Sequence, residues 1–174
     1  MIKDVRKMTI AALFLALGLV LPFAFHSFGP SAGAMFLPMH LPVLLCGFLC
    51  GPIYGLLIGV LTPLLSSVMT GMPMFFPTGI AMMLELATYG LISGYMMKKT
   101  SVYPSLFTAM IAGRAVSGIM NMILLNMAGK TYTLTIFLSA SFVTALPGII
   151  LQLILVPLLV SVVNKVQNNK TDKD

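Results

Sequence analysis

The chain has 174 residues, of which 59% are hydrophobic and only 8% are charged, and its formal net charge is +6. Soluble domains carry about 25% charged residues, because water must solvate their surface. The composition therefore excludes a soluble enzyme, a nucleic-acid-binding domain and a disordered tail, and it predicts a protein embedded in lipid.

Six apolar segments follow one another, and each approaches the roughly 20 residues that a transmembrane helix requires. The predicted helices cover residues 8–25, 33–50, 53–69, 78–97, 104–126 and 132–163. The sixth is long enough to include an interfacial portion, and we expect Pro147 and Pro157 to kink it. The predicted fold class is an all-α integral membrane protein. It is a compact bundle of six transmembrane helices in a single domain over residues 1–174, with tails at about 1–7 and 164–174.

Glycines and prolines mark the predicted turns and close contacts between these helices. Gly51 and Pro52 separate the second helix from the third, and Pro73 and Pro77 break any helix across residues 71–77. Small residues also recur at intervals of four, in one series of Gly47, Gly51, Gly55 and Gly59 and a second of Gly90 and Gly94. This spacing lets helix backbones approach closely in lipid. It indicates packing within the bundle or, alternatively, contact with a partner subunit.

Basic residues are distributed unequally between the two ends of the predicted bundle. Six spans place both termini on one side, together with the loop between the fourth and fifth helices. That side carries Lys3, Arg6, Lys7, Lys98, Lys99, Lys165, Lys170 and Lys173, whereas the other side carries Lys130 alone. Because cytoplasmic loops carry the excess of lysine and arginine, both termini are predicted to be cytoplasmic.

Two full charges lie well inside predicted spans, Glu85 in the fourth helix and Arg114 in the fifth. Charged groups are costly in lipid and are therefore candidates for functional residues. Arg114, Ser117 and Asn121 are spaced i, i+3 and i+7, which places them on one helix face pointing toward the outer leaflet. These residues form either a structural ion pair between the two helices or a polar stripe that lines a ligand cavity, with Arg114 facing an anionic group.

His40 in the second helix and Tyr89 in the fourth complete the candidate substrate-binding residues. His40 and His26 are each also compatible with a hydrogen-bonded structural histidine, and Tyr89 with a membrane interface. Cys46 and Cys50 provide too few ligands for a zinc site, so no metal or cofactor is predicted. The sequence contains no phosphate-binding P-loop and no catalytic motif. We therefore predict that the chain is not an enzyme and that active transport would need an ATPase from elsewhere.

Two segments link the chain to a known family. A basic N-terminus leads into residues 11–16, where Ala12 and Ala16 lie one helical turn apart, and residues 41–55 read LPVLLCGFLCGPIYG. With the size, the six spans and the predicted topology, these features resemble the substrate-binding S components of energy-coupling factor (ECF) transporters, the vitamin-uptake systems of prokaryotes. The resemblance covers essentially the whole chain.

The resemblance implies both a docking surface and a substrate site. Ala12 and Ala16 would dock a membrane coupling subunit, which works with two ATPase subunits. The substrate site would lie near the outer face of the plasma membrane, built by helices 4–6 and by the loops after helices 1 and 3. Glu85, Arg114 and Asn121 fall in that region.

Together these observations predict the high-affinity substrate-capture subunit of an ECF-type ABC importer for a water-soluble vitamin or related micronutrient. Pantothenate is expected if Arg114 is available to a carboxylate, and a pyridoxine-like compound if Glu85 satisfies Arg114. The alternative function is a small autonomous proton-coupled carrier or channel that uses Glu85.

Overall fold

The computed structural model of the chain describes residues 2–26 and 32–171, and within these ranges the regular structure is helical, without strands. The α-helices are α1 (Ile2–His26), α2 (Ala32–Phe36), α3 (His40–Cys50), α4 (Pro52–Thr70), α5 (Ile80–Met96), α6 (Val102–Met127), α7 (Leu134–Leu138) and α8 (Leu146–Thr171). Six spans in the described residues are long and apolar enough to cross a membrane, with α2 and α3 together forming the second. The predicted all-α fold with six spans is confirmed.

The second span is interrupted, so the prediction of one continuous helix over residues 33–50 is wrong. α2 ends at Phe36, and α3 begins only at His40. Leu37 between them has a φ of 52°, a left-handed conformation that is uncommon for leucine, and Pro38 follows without an amide proton. His40 consequently stands at the first position of a new helix, at the end of the bundle where the cavity described below lies.

The sixth predicted helix, 132–163, is also divided. α7 runs into a π-helical turn, Ser139–Thr144, and α8 begins after a break at Ala145. Pro147 occupies the first turn of α8, where a missing amide proton is tolerated, so it follows the break and does not kink a continuous helix. Pro157 lies inside α8 as predicted, and α8 continues as a helix to Thr171 beyond the predicted end of the span.

Three helices in the middle of the sequence pack with their backbones in contact. A Cβ atom added to Gly90 on α5 would overlap the carbonyl of Gly55 on α4, and one added to Gly47 on α3 would overlap the side chain of Ser93. Gly59 likewise faces the backbone of Leu86. Because van der Waals packing is the main attraction between helices in lipid, this close approach stabilises the α3–α4–α5 unit. Of the six spaced glycines, Gly51 has no atom within 4 Å of its Cβ position, and the other five pack inside the bundle.

Basic side chains of distant segments meet at one end of the bundle. Lys7 on α1 and Lys98 after α5 line the same small cavity beside Gly51, the turn between α3 and α4. Lys130 lies beyond the other end of α6, in the exposed segment that precedes α7. The positive-inside rule therefore gives a definite expectation for which end faces the cytoplasm.

The first prediction concerns this orientation. In a background with Cys46 and Cys50 replaced by alanine, Lys130→Cys should react with an impermeant thiol reagent added to intact cells. Thr100→Cys should react only after the cells are permeabilised, because the loop that contains it carries Lys98 and Lys99. Labelling of Thr100→Cys from outside would overturn the predicted topology.

The second prediction concerns the glycine contacts. Gly90→Ala should destabilise the purified protein by about 1–3 kcal/mol, the usual cost of overpacking, because the overlapping atoms belong to the Gly55 backbone and cannot rotate away. Thermal unfolding in detergent would measure the effect. Leu91→Ala, on the exposed face of the same helix, serves as the control and should change the unfolding temperature little. Equal unfolding temperatures for the two variants would contradict the packing described here.

Candidate functional site

A cavity of about 530 Å³ opens at the end of the bundle opposite Lys7 and Lys98. The C-terminal parts of α1, α4 and α6 meet there with the N-terminal ends of α3 and α5. Its polar lining residues in the described part of the chain are His40, Ser66, Thr70, Thr78, Glu85, Arg114, Ser117, Asn121, Tyr132 and Ser141. The remaining wall is apolar and includes Phe23, Met39, Met72 and Met82. A pocket of this size with a few convergent polar groups is typical of a small-molecule site.

Glu85 occupies the centre of the polar wall. Its Oε1 lies 3.4 Å from Nε2 of His40 and 3.4 Å from Nη1 of Arg114, and all three side chains are buried. We call these three residues the Glu85 cluster. The cluster joins α3, α5 and α6 through a single carboxylate oxygen. The ion pair between Glu85 and Arg114 and the lining of a cavity, which the sequence left as alternatives, occur together.

The two contacts of the Glu85 cluster are long. Charge-assisted hydrogen bonds between a guanidinium and a carboxylate are usually about 2.7–2.9 Å. Arg114 also makes only one contact with the carboxylate, through Nη1, and its Nε and Nη2 atoms are buried without a hydrogen-bond partner among the described residues. The guanidinium therefore retains most of its hydrogen-bonding capacity.

Tyr89 lies behind the cavity wall. Its ring is fully buried and contacts the His40 ring edge-on, with ring centroids 5.2 Å apart and planes at 84°. Gly113 on α6 makes room for it, because a Cβ there would come within 2.5 Å of the Tyr89 Cδ2 atom. Tyr89 was expected to bind substrate, but it is not among the lining residues, and its contact with His40 gives it a supporting position.

The stripe predicted on α6 lines the cavity along its length. Ser117 is buried and Asn121 is half-buried, and the Asn121 amide Nδ2 donates to the Ser117 carbonyl at 2.9 Å. Both residues line the cavity together with Arg114. The i, i+3, i+7 spacing therefore identified a continuous polar face, as expected for a helix with 3.6 residues per turn.

The segment that follows α4 is the loop after the third predicted helix, which the family resemblance assigned to the substrate site. The Ser66 hydroxyl donates to the Met72 carbonyl at 2.7 Å, and the Ser67 hydroxyl donates to the Pro73 carbonyl at 2.6 Å. These bonds fold residues 71–79 back over the cavity, where Met72 and Pro73 form part of the wall. The loop was expected at the site, but these bonds were not, and their only signal in the sequence was the cluster of hydroxyl residues at the end of an otherwise apolar helix.

Tyr132, between α6 and α7, is another lining residue that was not selected for the site. Partial burial raises the pKa of its phenol, and the negative charge of Glu85 acts in the same direction. The phenol therefore stays protonated at neutral pH and can donate a hydrogen bond into the cavity. The side chain of His26 lies outside the described residues, within which there is no group of three or more potential metal ligands.

Comparison with known proteins identifies a family. A family model described as "ECF transporter, substrate-specific component" matches residues 6–160. No curated protein and no solved structure matches the chain. The matched range contains the described residues that line the cavity, as well as Ala12 and Ala16 on α1.

The third prediction tests the pairing inside the Glu85 cluster. Glu85→Gln should destabilise the ligand-free protein by about 3–5 kcal/mol, because it leaves the buried Arg114 charge without an anionic partner. The double variant Glu85→Gln/Arg114→Met should recover most of that loss, since neither charge remains. Unfolding in detergent measures both variants. Thr88→Val is a suitable control on the same helix, because the Thr88 hydroxyl donates only to its own helix at Leu84. Wild-type stability of Glu85→Gln would show that the pair contributes nothing.

Proposed function

This chain belongs to the substrate-specific components of ECF transporters, and on that premise we propose that it captures a water-soluble vitamin or related micronutrient outside the cell. As a member of this family, it is a multi-pass plasma-membrane protein that provides the substrate-binding subunit of an ECF importer. The observation that carries the proposal is the cavity of about 530 Å³ with the buried Glu85 cluster in its wall.

The proposed orientation places this cavity at the outer face of the membrane. The opposite end carries Lys7, Lys98 and Lys99, which the positive-inside rule assigns to the cytoplasm together with both termini. A ligand can then enter from outside between the end of α1 and residues 71–79, both of which contribute to the cavity wall.

The proposed substrates are pantothenate and pyridoxine-like compounds. Both are small and carry hydroxyl groups, which suits a cavity whose wall offers Thr78, Asn121 and Tyr132 alongside apolar surface. They differ in charge, since pantothenate carries a carboxylate. The state of Arg114 therefore distinguishes between them.

We propose that the outward face of α1 docks the membrane coupling subunit, which in turn acts with two ATPase subunits. α1 packs into the bundle through Ala11, Phe14 and Gly18, whereas Ala12 and Ala16 are exposed on it. Two alanines one turn apart leave almost no side chain between the helix backbone and a partner, which permits close contact in lipid.

The arrangement supports this role over an autonomous proton-coupled carrier. Such a carrier needs a route from Glu85 to the cytoplasmic end of the bundle. The glycine contacts of the α3–α4–α5 unit lie on that side of Glu85 and bring the helix backbones together. Glu85 is also already shared by two side chains, His40 and Arg114.

The fourth prediction separates substrate capture from transport. Ala12→Trp and Ala16→Trp should bind ligand like the wild type but lose uptake and co-purification with the coupling subunit, because an indole would hold the partner away from the helix. Binding to purified protein and uptake by cells are measured side by side. Ile111→Trp on the exposed face of α6 is the matched control and should retain uptake.

Two results would count against the proposal. Wild-type uptake by both alanine variants would exclude this docking surface. Wild-type uptake in cells that lack the ATPase subunits would contradict the role in an ATP-driven importer.

A further inference from the structure

The cavity contains a very small set of charges. Among its lining residues in the described ranges, Glu85 is the one acidic side chain and Arg114 is the one lysine or arginine. Their formal charges cancel. Apart from the His40 imidazole, the other polar groups are hydroxyls and one side-chain amide. A cavity of this composition does not attract highly charged solutes, and at most one additional charge can find a partner there.

Arg114 is the member of the pair with unused hydrogen-bonding capacity. Its Nε and Nη2 atoms form one edge of the planar guanidinium, and neither has a partner among the described residues. Each unpartnered donor buried in an apolar surrounding carries a substantial free-energy cost. The two donors of such an edge match the two oxygens of a carboxylate, which an arginine binds in a bidentate manner.

Two further atoms near Arg114 are buried without a hydrogen-bond partner among the described residues, the Tyr89 hydroxyl and His40 Nδ1. A hydroxyl both donates and accepts, and Nδ1 of a neutral His40 accepts when its Nε2 donates to Glu85. The atoms that can only donate are therefore the two Arg114 nitrogens, and the ligand group that satisfies them must be an acceptor.

Building on the proposed role in substrate capture, we propose that the substrate carries a single carboxylate, which Arg114 binds through its Nε–Nη2 edge. The nitrogens of this edge are covered by protein in the structure, so binding includes a rotation of the guanidinium toward the cavity that Arg114 already lines. The rotation gives up the 3.4 Å contact between Nη1 and Glu85.

Glu85 acts in this scheme as an internal counter-ion. It holds Arg114 until the substrate arrives, and it keeps its second contact, with His40, after Arg114 has turned. The arrangement also selects against phosphate esters. A phosphate dianion would bring a second negative charge next to Glu85, and the described lining residues offer no lysine or further arginine to neutralise it.

The fifth prediction compares ligands that differ only in whether they carry the carboxylate. Pantothenate and pantothenol, nicotinate and nicotinamide, and biotin and biotin amide each form a matched pair of acid and neutral compound. Isothermal titration of the purified full chain should find at least one acid that binds, with its neutral partner at least 10-fold weaker. Phosphopantothenate should bind at least 10-fold more weakly than pantothenate if pantothenate is the ligand.

Variants assign the effect to Arg114. For the acid that binds, Arg114→Lys should weaken binding at least 10-fold, because lysine keeps the charge but loses the planar fork. Glu85→Gln should bind the acid more tightly than the wild type, since the internal competitor for Arg114 is gone. Its unfolding temperature should also rise more on adding the acid than that of the wild type, which verifies that the variant is folded.

Three results would overturn the inference. These are equal binding of an acid and its neutral partner, tightest binding of a neutral or cationic vitamin such as pyridoxine or thiamine, and no binding of any acid in the panel. Loss of binding in folded Glu85→Gln would equally show that the ligand is held by Glu85. ATPase-dependent uptake of pyridoxine would contradict the carboxylate inference and leave the proposed importer function intact. ATPase-independent uptake of an acid that binds would contradict the importer function and leave the carboxylate inference intact.

Discussion

A carboxylate inside the apolar part of a membrane protein requires a partner. Glu85 contacts two, and these contacts determine much of how the helices are arranged. Its contacts with His40 and Arg114 require α3, α5 and α6 to converge at one level of the bundle. Gly113 allows α6 to approach α5 over the ring of Tyr89, and that ring packs against His40. The cavity exists where these three helices meet, because the charged groups hold them at that place.

The rest of the bundle falls into two parts with different packing. In α3, α4 and α5, glycines bring backbones into contact, and few side chains separate the helices. Around this unit lie α1, residues 71–79 and the divided segment from Leu134 to Ala145, which contribute wall to the cavity and have many exposed apolar side chains. The structure thus combines a closely packed centre with a looser boundary around the cavity.

Sequence periodicity was sufficient to predict the six apolar spans and part of the cavity wall. The stripe of Arg114, Ser117 and Asn121 lines the cavity because an α-helix repeats every 3.6 residues, and Glu85 was its only acidic candidate partner within a span. Periodicity could not predict the break at Leu37, since leucine has no preference for a positive φ and the apolar run continues through it. It also could not place Tyr89, whose position behind His40 depends on Gly113, nor the bonds from Ser66 and Ser67 to carbonyls six residues further on. These features depend on contacts between segments, which no local pattern records.

The backbone contacts of the central glycines also limit how a protein of this kind can diversify. Positions such as Gly55, Gly59 and Gly90 have no room for any side chain, so descendants of this sequence cannot reshape the cavity from the α4–α5 interface. Under the proposed function, changes in ligand preference are instead expected at residues such as Thr78, Asn121 and Tyr132, which face the cavity and are not enclosed by helix backbones. Substitutions there can alter substrate choice without disturbing the glycine contacts, and engineered libraries aimed at new ligands can leave the glycines untouched.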